Sequence, residues 1–598
     1  MSPANKSIRQ AGVGRFAAQK SKTSSKPASS KQSHPTDGRA VTSQLVTFMI
    51  AIALLVLAAA QASISQLSLS PVYGAVPSSL FHERATQAAF LVAVLGQLEV
   101  GQYLPRPDKE WLPVLAFWLP TIQFFVFRQS SYLGARTGPI LTEAVTYLPL
   151  VALSTIAAIS ALGSLSTRSP KLVECLSGIA GLVVFSRVER LFMSLWSRMI
   201  GSHLIFTRLG LQYLSAIFSA ILLPSRLLLL VVPALLHSAV FNVHVPLPWT
   251  TEVLNTTLQT QSGYSILARQ ESLTGYISVL ENEQDHFRVL RCDHSLLGGE
   301  WLAEPGGQAN QLQVNEPIYA IFAILEAVRL VETHGLRGSE VATRQRKADA
   351  ESNALLIGLG IGTSATALIS HGINTTIVEI DPAVHEYATQ FFGLPSNHHL
   401  IIDDAVHFVQ DHTVTKIRAQ AGEERRYDYI IHDVFTGGAE PGELFTFEFL
   451  TGLYHLLDED GVVAINYAGD LLLPSAHMIV RTIRAVFPTC RIFREEEAPT
   501  ASDLNRDFTN MVAFCTKTHD SFSFRKPTKA DFLASTARKH YLLPKHEIDP
   551  EIFYATGGAE DVLSVETLSR LEEWQKLSAV GHWEIMRTVL PAAVWELW

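Results

Sequence analysis

The clearest pattern of apolar and polar positions lies in residues 354–381, where two short apolar runs flank a glycine-rich turn. The turn holds Gly358, Gly360 and Gly362, and the second apolar run ends at Glu379. Short apolar runs bounded by glycine are typical of buried strands, and the residues between these two runs have the spacing of a helix. The pattern therefore predicts a strand, a tight turn, a helix and a second strand that ends in an acid.

The same alternation continues towards the C-terminal end. Further strands are predicted at residues 400–404, 427–433 and 461–466, with more strand candidates in residues 490–515. Helical segments separate them, at residues 386–392 and 444–457. Strands that alternate with helices indicate a doubly wound, mostly parallel sheet. We therefore expect a Rossmann-like domain at residues 346–598, with a C-terminal helical extension.

A small β domain is expected before this sheet. Residues 264–291 alternate between apolar and polar positions with a period of two, which predicts consecutive strands with a turn near residues 281–283. Residues 315–332 have apolar positions at helical spacing and predict a connecting helix. The small β domain and its connecting helix are therefore placed at residues 250–345.

Apolar stretches with few charges fill the chain before residue 250. Several approach the length that crosses a bilayer, at about 1.5 Å of rise per residue. They lie at residues 44–62, 87–104, 111–127, 138–163, 174–188, 207–223 and 226–243. The pattern predicts an α-helical, multi-span membrane region at residues 41–245 with about six or seven spans. A buried, all-helical soluble domain is the alternative.

The first 40 residues are rich in Ser, Lys and Arg, and Asp37 is their one acid. This composition cannot form an apolar core, so a disordered basic tail is expected at residues 1–40. A cytosolic tail follows from the positive-inside rule, and six spans would leave the globular half cytosolic as well. A mitochondrial transit peptide, and so a mitochondrial membrane, is the alternative. The chain is thus expected to be an integral, multi-pass membrane protein.

The charge and cysteine content of the chain limit the kinds of ligand and partner expected for the part after residue 250. The 598 residues include 56 acidic and 47 basic side chains, and this net charge of −9 gives no sign of a nucleic-acid partner. The 4 cysteines lie far apart, without a CxxC motif or a histidine cluster at ligand spacing. We therefore expect neither a metal site nor a disulfide scaffold, and a reducing compartment fits.

Several predicted strands end in acids. Parallel strands bring their carboxyl ends to one edge of the sheet, where ligands bind. The three glycines of the turn let the backbone approach a nucleotide, and Glu379 can accept hydrogen bonds from both ribose hydroxyls. Asp404, with the backbone N–H of Ala405, can recognise an adenine edge. Asp404 can equally cap the helix that follows, and the two roles are compatible.

Asp433 is the candidate catalytic residue. It ends an apolar strand, so desolvation is expected to raise the pKa of its carboxyl, which can then hold an amine and take its proton. Capping of the following loop is the structural alternative. Tyr319 can line the same pocket or belong to the core, whereas His432 alternates to the other face of the strand.

At these residues the chain resembles the spermidine synthase (aminopropyltransferase) family, a branch of the class I S-adenosylmethionine-dependent fold. The resemblance covers residues 264–516 and is closest at residues 355–381, 400–405 and 427–449. It implies an adenosine-containing co-substrate, S-adenosylmethionine or its decarboxylated form, and an amine acceptor. A homodimer is among the assemblies left open.

The resemblance also implies roles for single residues. Glu379 would bind the ribose, Asp404 and Ala405 the adenine, and Asp433 would accept the proton of the amine. An acid and a tyrosine that the family places near its amine substrate are matched by Glu316 and Tyr319.

Two carboxylates of the family pattern are missing from this chain. Ile361 replaces the aspartate that faces the amine of the decarboxylated co-substrate, and Thr436 replaces the second carboxylate of the polyamine site. Glu440 is a candidate substitute for that carboxylate. An aspartate at position 361 would repel the carboxylate of intact S-adenosylmethionine, so isoleucine makes that co-substrate, and with it methyl transfer, admissible.

Three hypotheses for the function follow. The first is a membrane-anchored, spermidine-synthase-like transferase that moves an aminopropyl group to a polyamine, with Asp433 as acid and base. The second is an S-adenosylmethionine-dependent methyltransferase acting on a small amine or a protein amine. The third is a non-catalytic nucleotide-sensing domain on a membrane protein.

Overall fold

The computed structural model describes residues 37–99, 109–165, 170–302, 314–337, 340–343, 347–418, 426–434, 441–499, 507–555, 557–558 and 560–598. Nearly all of the basic tail predicted at residues 1–40 lies outside the described residues. The chain divides into residues 1–46 and residues 47–598. The described part of the first unit is the beginning of a long helix.

Helices make up the part of the chain where membrane spans were predicted. Their bounds are α1 Asp37–Tyr73, α2 Ala75–Ser79, α3 His82–Glu99, α4 Trp111–Phe127, α5 Ser130–Val145, α6 Tyr147–Gly163, α7 Pro170–Met199, α8 Arg208–Leu222, α9 Val232–Val240 and α10 Pro248–Ser262. A buried polar network connects four of them. His82 of α3 lies between the carboxylates of Glu143 in α5 and Glu189 in α7, at 2.6 and 3.0 Å, and Ser65 of α1 donates to Glu143 at 2.9 Å.

The described helices do not clearly support the expected count of six or seven spans, which stays a prediction. Among them, Thr42–Tyr73 is the one helix whose length and apolar composition are sufficient to cross a membrane. A second span results only if the bent pair Ser130–Val145 and Tyr147–Gly163 counts as one. The other apolar stretches form helices that are too short, such as α4 with 17 residues and α8 with 15, or carry charges, as α7 does.

An antiparallel sheet follows the helices in the region of the expected small β domain. Its strands are β1 Tyr264–Glu271, β2 Tyr276–Asn282, β3 Phe287–Cys292, β4 Ser295–Trp301 and β5 Glu316–Pro317, paired in that order. The helix expected at residues 315–332 is shorter, because β5 pairs with β4 and α11 covers only Ala320–Leu325. The helical spacing of that segment reflects burial, since its apolar residues pack in the core.

The second sheet has the expected alternation of strands and helices. Its strands are β8 Asn353–Ile357, β9 Asn374–Glu379, β10 His399–Ile402, β11 Tyr427–His432, β12 Leu457–Asp470, β13 Thr489–Arg494, β14 Phe508–Thr516 and β16 His546–Glu547. The spatial order is β10-β9-β8-β11-β12-β14-β13-β16. The first five are parallel, and β14 is antiparallel to both of its neighbours. The sheet is therefore mixed and of the methyltransferase type.

Helices cover both faces of this sheet. They are α12 Thr363–Ser370, α13 Pro382–Phe391, α14 Ala405–Arg418, α15 Phe447–Leu456 and α16 Pro474–Val486. Residues of one strand alternate between two apolar cores, so that Leu356 packs on one face while Leu355 and Ile357 pack on the other. Both faces are thus buried, which is why these strands read as continuous apolar runs.

A third sheet and the C-terminal helices complete the described chain. The sheet contains β6 Val331–Arg337, β7 Glu340–Thr343 and β15 Ser521–Phe524, in the order β15-β6-β7. The helices are α17 Thr536–Tyr541, α18 Glu572–Val589 and α19 Ala592–Glu596.

The cysteine spacing predicted no disulfide scaffold, and one disulfide bond occurs among the described residues. Cys490 and Cys515 face each other in the register of β13 and β14 and form a disulfide bond. They are 25 residues apart in sequence, so their pairing depends on the sheet and leaves no short motif in the chain.

Candidate active site

The carboxyl ends of the parallel strands open onto a cavity of about 750 Å³. The predicted residues that line it are Gly358, Gly360, Glu379, Asp404, Ala405, Asp433 and Tyr319. Because β9, β8, β11 and β12 are neighbours in the sheet, the residues that follow them lie in a row along one edge. The topology thus brings together acids that are up to 54 residues apart in sequence, from Glu379 to Asp433.

The glycine turn lies against the backbone of two other segments. Gly358 and Gly360 have φ of +81° and +56°, in the left-handed region that disfavours side chains. A Cβ on Gly358 would lie 2.2 Å from the carbonyl oxygen of Asp433, and one on Gly360 would lie 2.5 Å from that of Leu297. Glycine is therefore required at both positions.

Glu379 is anchored beneath the cavity by backbone donors. Its Oε1 accepts the N–H of Asp381 and its Oε2 accepts the N–H of Leu359, both at 2.9 Å. Only 6% of the residue is exposed. Burial raises the pKa of its carboxyl to about 7, against the lowering effect of these hydrogen bonds. Each carboxylate oxygen can accept a second hydrogen bond, so the side chain is suited to hydroxyl donors from a ligand.

Asp404 and Ala405 lie at the start of α14. Oδ1 of Asp404 accepts the N–H of Val406 at 2.8 Å, so this side chain does cap the helix. Both residues also line the cavity. The geometry is compatible with both roles, and recognition of adenine stays a prediction.

Asp433 lies at the middle of the row and has a partner that the sequence did not reveal. Nδ2 of Asn466, at the neighbouring position of β12, donates to Oδ1 of Asp433 at 2.8 Å. Burial raises the pKa of the Asp433 carboxyl to about 6, and the hydrogen bond from Asn466 acts in the opposite direction. The carboxyl is therefore largely ionised at neutral pH and suited to accept a proton.

The next part of the cavity combines Tyr319 with Glu495. The hydroxyl of Tyr319 is buried without a hydrogen-bond partner among the described residues. Burial, and to a smaller extent the nearby carboxylate of Glu495, raise the pKa of this phenol to about 12. Tyr319 is thus a neutral hydroxyl that faces the cavity and is able to bind a ligand.

Two other predicted residues, Gly362 and Glu316, do not line the cavity. Gly362 begins α12, with φ of +83°. Glu316 caps α17, because its carboxylate accepts the N–H groups of Thr536 and Ala537 and the hydroxyl of Ser535. Neither Gly362 nor Glu316 is among the residues that line the cavity, and the binding roles assigned to them stay predictions. Glu440 and Thr436 lie outside the described residues.

Two neighbours of the site are structural. His432 is fully buried and packs edge-on against Phe445 and Phe449, on the face expected for it. Ile361 lies in the core and contacts Gly298. No carboxylate is therefore offered at position 361.

The wall opposite the sheet comes from distant parts of the chain. Gly74 and Ala75 follow the first long helix, and His582, Ile585 and Met586 belong to α18. No short sequence motif marks these residues as members of the site. Among the described residues, no group of three or more His, Cys, Asp or Glu side chains is arranged to hold a metal ion.

The mixed sheet has eight strands in the described residues, with a glycine turn after the first in chain order, an acid after the second and an acid after the fourth. This arrangement defines a transferase with the methyltransferase-type α/β fold. Comparisons with known proteins agree. Residues 343–496 match the model of the spermine/spermidine synthase domain. A polyamine aminopropyltransferase of Vibrio vulnificus is 35% identical over 114 residues, 19% of this chain and 36% of the relative.

One relative matches almost throughout. An N-terminal histidine N-methyltransferase of Emericella nidulans is 48% identical over 563 residues, which cover 92% of this chain and 97% of the relative. A probable spermidine synthase from Corynebacterium glutamicum is a structural match with a TM-score of 0.35 and 15% identity, over 50% of this chain and 95% of that one. The chain belongs to the family of the N-terminal histidine N-methyltransferase.

Proposed function

We propose that this protein is an S-adenosylmethionine-dependent methyltransferase that acts on a nitrogen of an N-terminal histidine in a polypeptide. The observation that carries the proposal is the 48% identity with the Emericella nidulans enzyme over nearly the full length of both chains. Matches to aminopropyltransferases are limited to part of the globular half, as the 19% coverage by the Vibrio vulnificus enzyme illustrates.

The two halves of the cavity support this choice over polyamine synthesis. The nucleoside half keeps its glycine turn and Glu379, which fits an adenosine-containing co-substrate. At position 361 a core isoleucine takes the place of the acid that would favour a decarboxylated co-substrate. Aminopropyl transfer, the first hypothesis from the sequence, is therefore replaced by the methyl-transfer alternative.

Each of the site residues has one task in this reaction. When bound, S-adenosylmethionine supplies a methyl group on a positively charged sulfur. Glu379 holds the ribose hydroxyls, and Asp404 with Ala405 borders the adenine. Asn466 orients Asp433, whose carboxylate holds an N–H of the acceptor and takes its proton. Such catalysis relies on the positioning of the nitrogen in line with the methyl group and on a base of suitable pKa.

The identity of the released nucleoside tests the proposal. The full-length protein is incubated with S-adenosylmethionine and a histidine-initiated peptide, and in parallel with decarboxylated S-adenosylmethionine and a diamine. We expect S-adenosylhomocysteine and a peptide heavier by one methyl group in the first reaction alone. Methylthioadenosine from the second reaction, without peptide methylation, would overturn the proposal. Nucleotide binding without either product would favour the sensor hypothesis.

We also propose that the helical half associates with a lipid bilayer. The long helix α1 and many large apolar side chains exposed on α3, α7, α8 and α9 support this location. They include Leu91, Val92, Leu95, Val183, Leu191, Ile217, Ile221, Leu235 and Leu236.

Disulfide bonds are typical of oxidising compartments, so the Cys490–Cys515 bond favours a lumenal or extracellular catalytic half over a cytosolic one. Protease protection of the catalytic half in sealed microsomes tests this orientation, and digestion without permeabilisation would contradict it.

A further inference from the structure

The row of polar residues along the sheet edge continues beyond Asp433. Asn466 follows it on β12, and Asn510 lies on β14, where it pairs with Ala468 in the strand register. Glu495, just after β13, donates its backbone N–H to the carbonyl of Asn510 at 3.0 Å. Asn466, Asn510 and Glu495 all line the cavity. The row therefore extends away from the nucleoside half, to the side where an acceptor must bind.

Asn466 has an unused hydrogen-bond acceptor. The residue is only 7% exposed, and its Nδ2 is committed to Asp433. Its Oδ1 is buried without a hydrogen-bond partner among the described residues. A buried carbonyl oxygen without a hydrogen-bond donor is unfavourable, so a ligand that offers an N–H at this point is favoured.

Glu495 is a carboxylate without a cationic partner in the described part of the chain. Its Oε1 accepts the N–H of Ile321 at 2.9 Å, and its Oε2 accepts Nδ2 of Asn510 at 2.7 Å. The nearest arginine in sequence, Arg494, is already paired with Asp507. Glu496 and Glu497 line the same end of the cavity and add negative charge. This end therefore attracts a cation.

The distance between Glu495 and Asn466 suits a single amino-acid residue of a bound acceptor. Glu495 lies two strands and two residues from Asn466, and with strands about 4.8 Å apart and residues about 3.4 Å apart their Cα atoms are about 12 Å apart. Both side chains reach into the cavity and shorten this gap. A histidine with one hydrogen bond at its amino group and one at its ring fits between the two residues.

We propose that Glu495 binds the α-ammonium group of the acceptor polypeptide, while Oδ1 of Asn466 accepts a hydrogen bond from the acceptor beside the transfer point. This assignment rests on the proposed methylation of an N-terminal histidine. It makes Glu495 the residue that distinguishes a chain terminus from an internal histidine.

A chemical consequence follows for the reacting nitrogen. An ammonium group has no lone pair, so the nucleophile is a ring nitrogen of the imidazole. That nitrogen forms a bond to the methyl carbon while the bond between carbon and sulfur breaks, and the electron pair of this bond goes to sulfur. The proton on the other ring nitrogen passes to Asp433, which leaves a neutral methylimidazole.

The test compares two peptides that differ only in the amino group. One begins with histidine, and the other begins with imidazolepropionate, which has the same ring but no amine. With the wild-type full-length protein we expect kcat/KM about 10- to 100-fold higher for the amine, the contribution of one charge-assisted hydrogen bond. In Glu495→Gln this preference is expected to vanish through a higher KM for the histidine peptide, and Glu495→Asp should restore part of it.

Matched measurements separate the possible failures. Affinity for S-adenosylmethionine should be unchanged in Glu495→Gln, which shows that the variant is folded, and Glu551→Gln serves as a control for loss of a negative charge at an exposed position outside the cavity. Methylation of neither peptide by the wild type would refute the proposed function and this assignment with it. A preference for the amine that persists in Glu495→Gln, or a methyl group found on the α-nitrogen, would refute the role of Glu495 alone.

Discussion

Replacement of Asn466 by leucine tests the electrostatic basis of the proposed proton acceptor. Leucine has a similar volume but cannot donate a hydrogen bond, so Asp433 would lose its one side-chain donor in the described structure. The pKa of the Asp433 carboxyl is about 6 with this donor in place. Its loss favours the protonated form of Asp433, and the pKa must rise.

The magnitude follows from the strength of the hydrogen bond. A hydrogen bond to a charged group contributes about 1.5–3 kcal/mol, and about 1.4 kcal/mol corresponds to one pH unit. The acid limb of the pH profile should therefore move upward by about one to two pH units. At pH 6.5 the ionised fraction of Asp433 would fall from about three quarters to about one quarter or less, with a similar fall in rate.

The assay is the initial rate of peptide methylation between pH 5 and pH 9 at constant ionic strength. The imidazole of the peptide also titrates in this range, but it does so equally with wild type and variant, so that the difference between the profiles reports the enzyme. An acid limb that stays in place or moves to lower pH in Asn466→Leu would show that Asp433 is not the titrating base.

Further predictions concern Asp433, Glu379, Gly360 and the cysteine pair. Asp433→Asn should lower kcat by at least about 100-fold, the usual contribution of a general base, while calorimetry finds the affinity for S-adenosylmethionine within a few-fold of wild type. Since burial raises the pKa of Glu379 from 4.5 to about 7, its ionisation should reduce the stability of the ligand-free protein as pH rises through this window, and thermal melts of Glu379→Gln should lack this loss. Ribose binding favours ionised Glu379, so S-adenosylmethionine should bind more weakly below about pH 7 and release protons there, measurable by calorimetry in buffers of different ionisation enthalpy. Gly360→Ala should lose cofactor binding, because its Cβ would lie 2.5 Å from the carbonyl oxygen of Leu297. The control in the same binding assay is Gly372→Ala, since Gly372 also has a positive φ but open space around its Cβ. Cys490→Ser with Cys515→Ser should lower the unfolding free energy by about 3 kcal/mol in denaturant titrations, as expected for a loop of 25 residues, and an intact-mass experiment without reductant should find the bond in the wild type.

The parts of the fold predicted correctly from the sequence are those determined by local pattern. Residues 354–381 combine two buried strands with glycines that the backbone requires, so turn, helix and terminal acid all follow from nearby residues. The strands that end at Asp404 and Asp433 share the same signal. Parallel strands align their carboxyl ends, and the common location of Glu379, Asp404 and Asp433 was therefore predictable from strand order.

The parts that the sequence could not predict depend on contacts between distant residues. Glu316 matched a family motif, yet Ser535 and the start of α17 lie close enough to use its carboxylate as a cap. Asn466 carries no motif, and its importance comes from its neighbour on the adjacent strand. The cysteine pair likewise depends on the sheet register.

The helical part of the chain before residue 250 also contributes residues to the cavity. The carbonyl groups near the end of α1 are held by the globular half: Arg291 donates to Pro71 at 2.7 Å, and Trp583 donates to Val72 at 3.0 Å. Gly74 and Ala75, which line the cavity, follow directly. These contacts fix the position of the wall opposite the sheet.

This arrangement explains how relatives can share one domain and differ in substrate. The match to the spermine/spermidine synthase domain ends at residue 496 and begins at residue 343, and this range contains the nucleoside half and Asp433. Tyr319, Gly74, Ala75 and the cavity residues of α18 all lie outside it. These outer elements line the cavity together with Asn466 and Glu495, which lie inside the matched range, so a change of acceptor needs no change in the residues that bind the nucleotide. The acceptor of this chain is therefore better inferred from a relative that shares the outer elements, as the Emericella nidulans enzyme does over 97% of its length, than from one that shares the central domain alone.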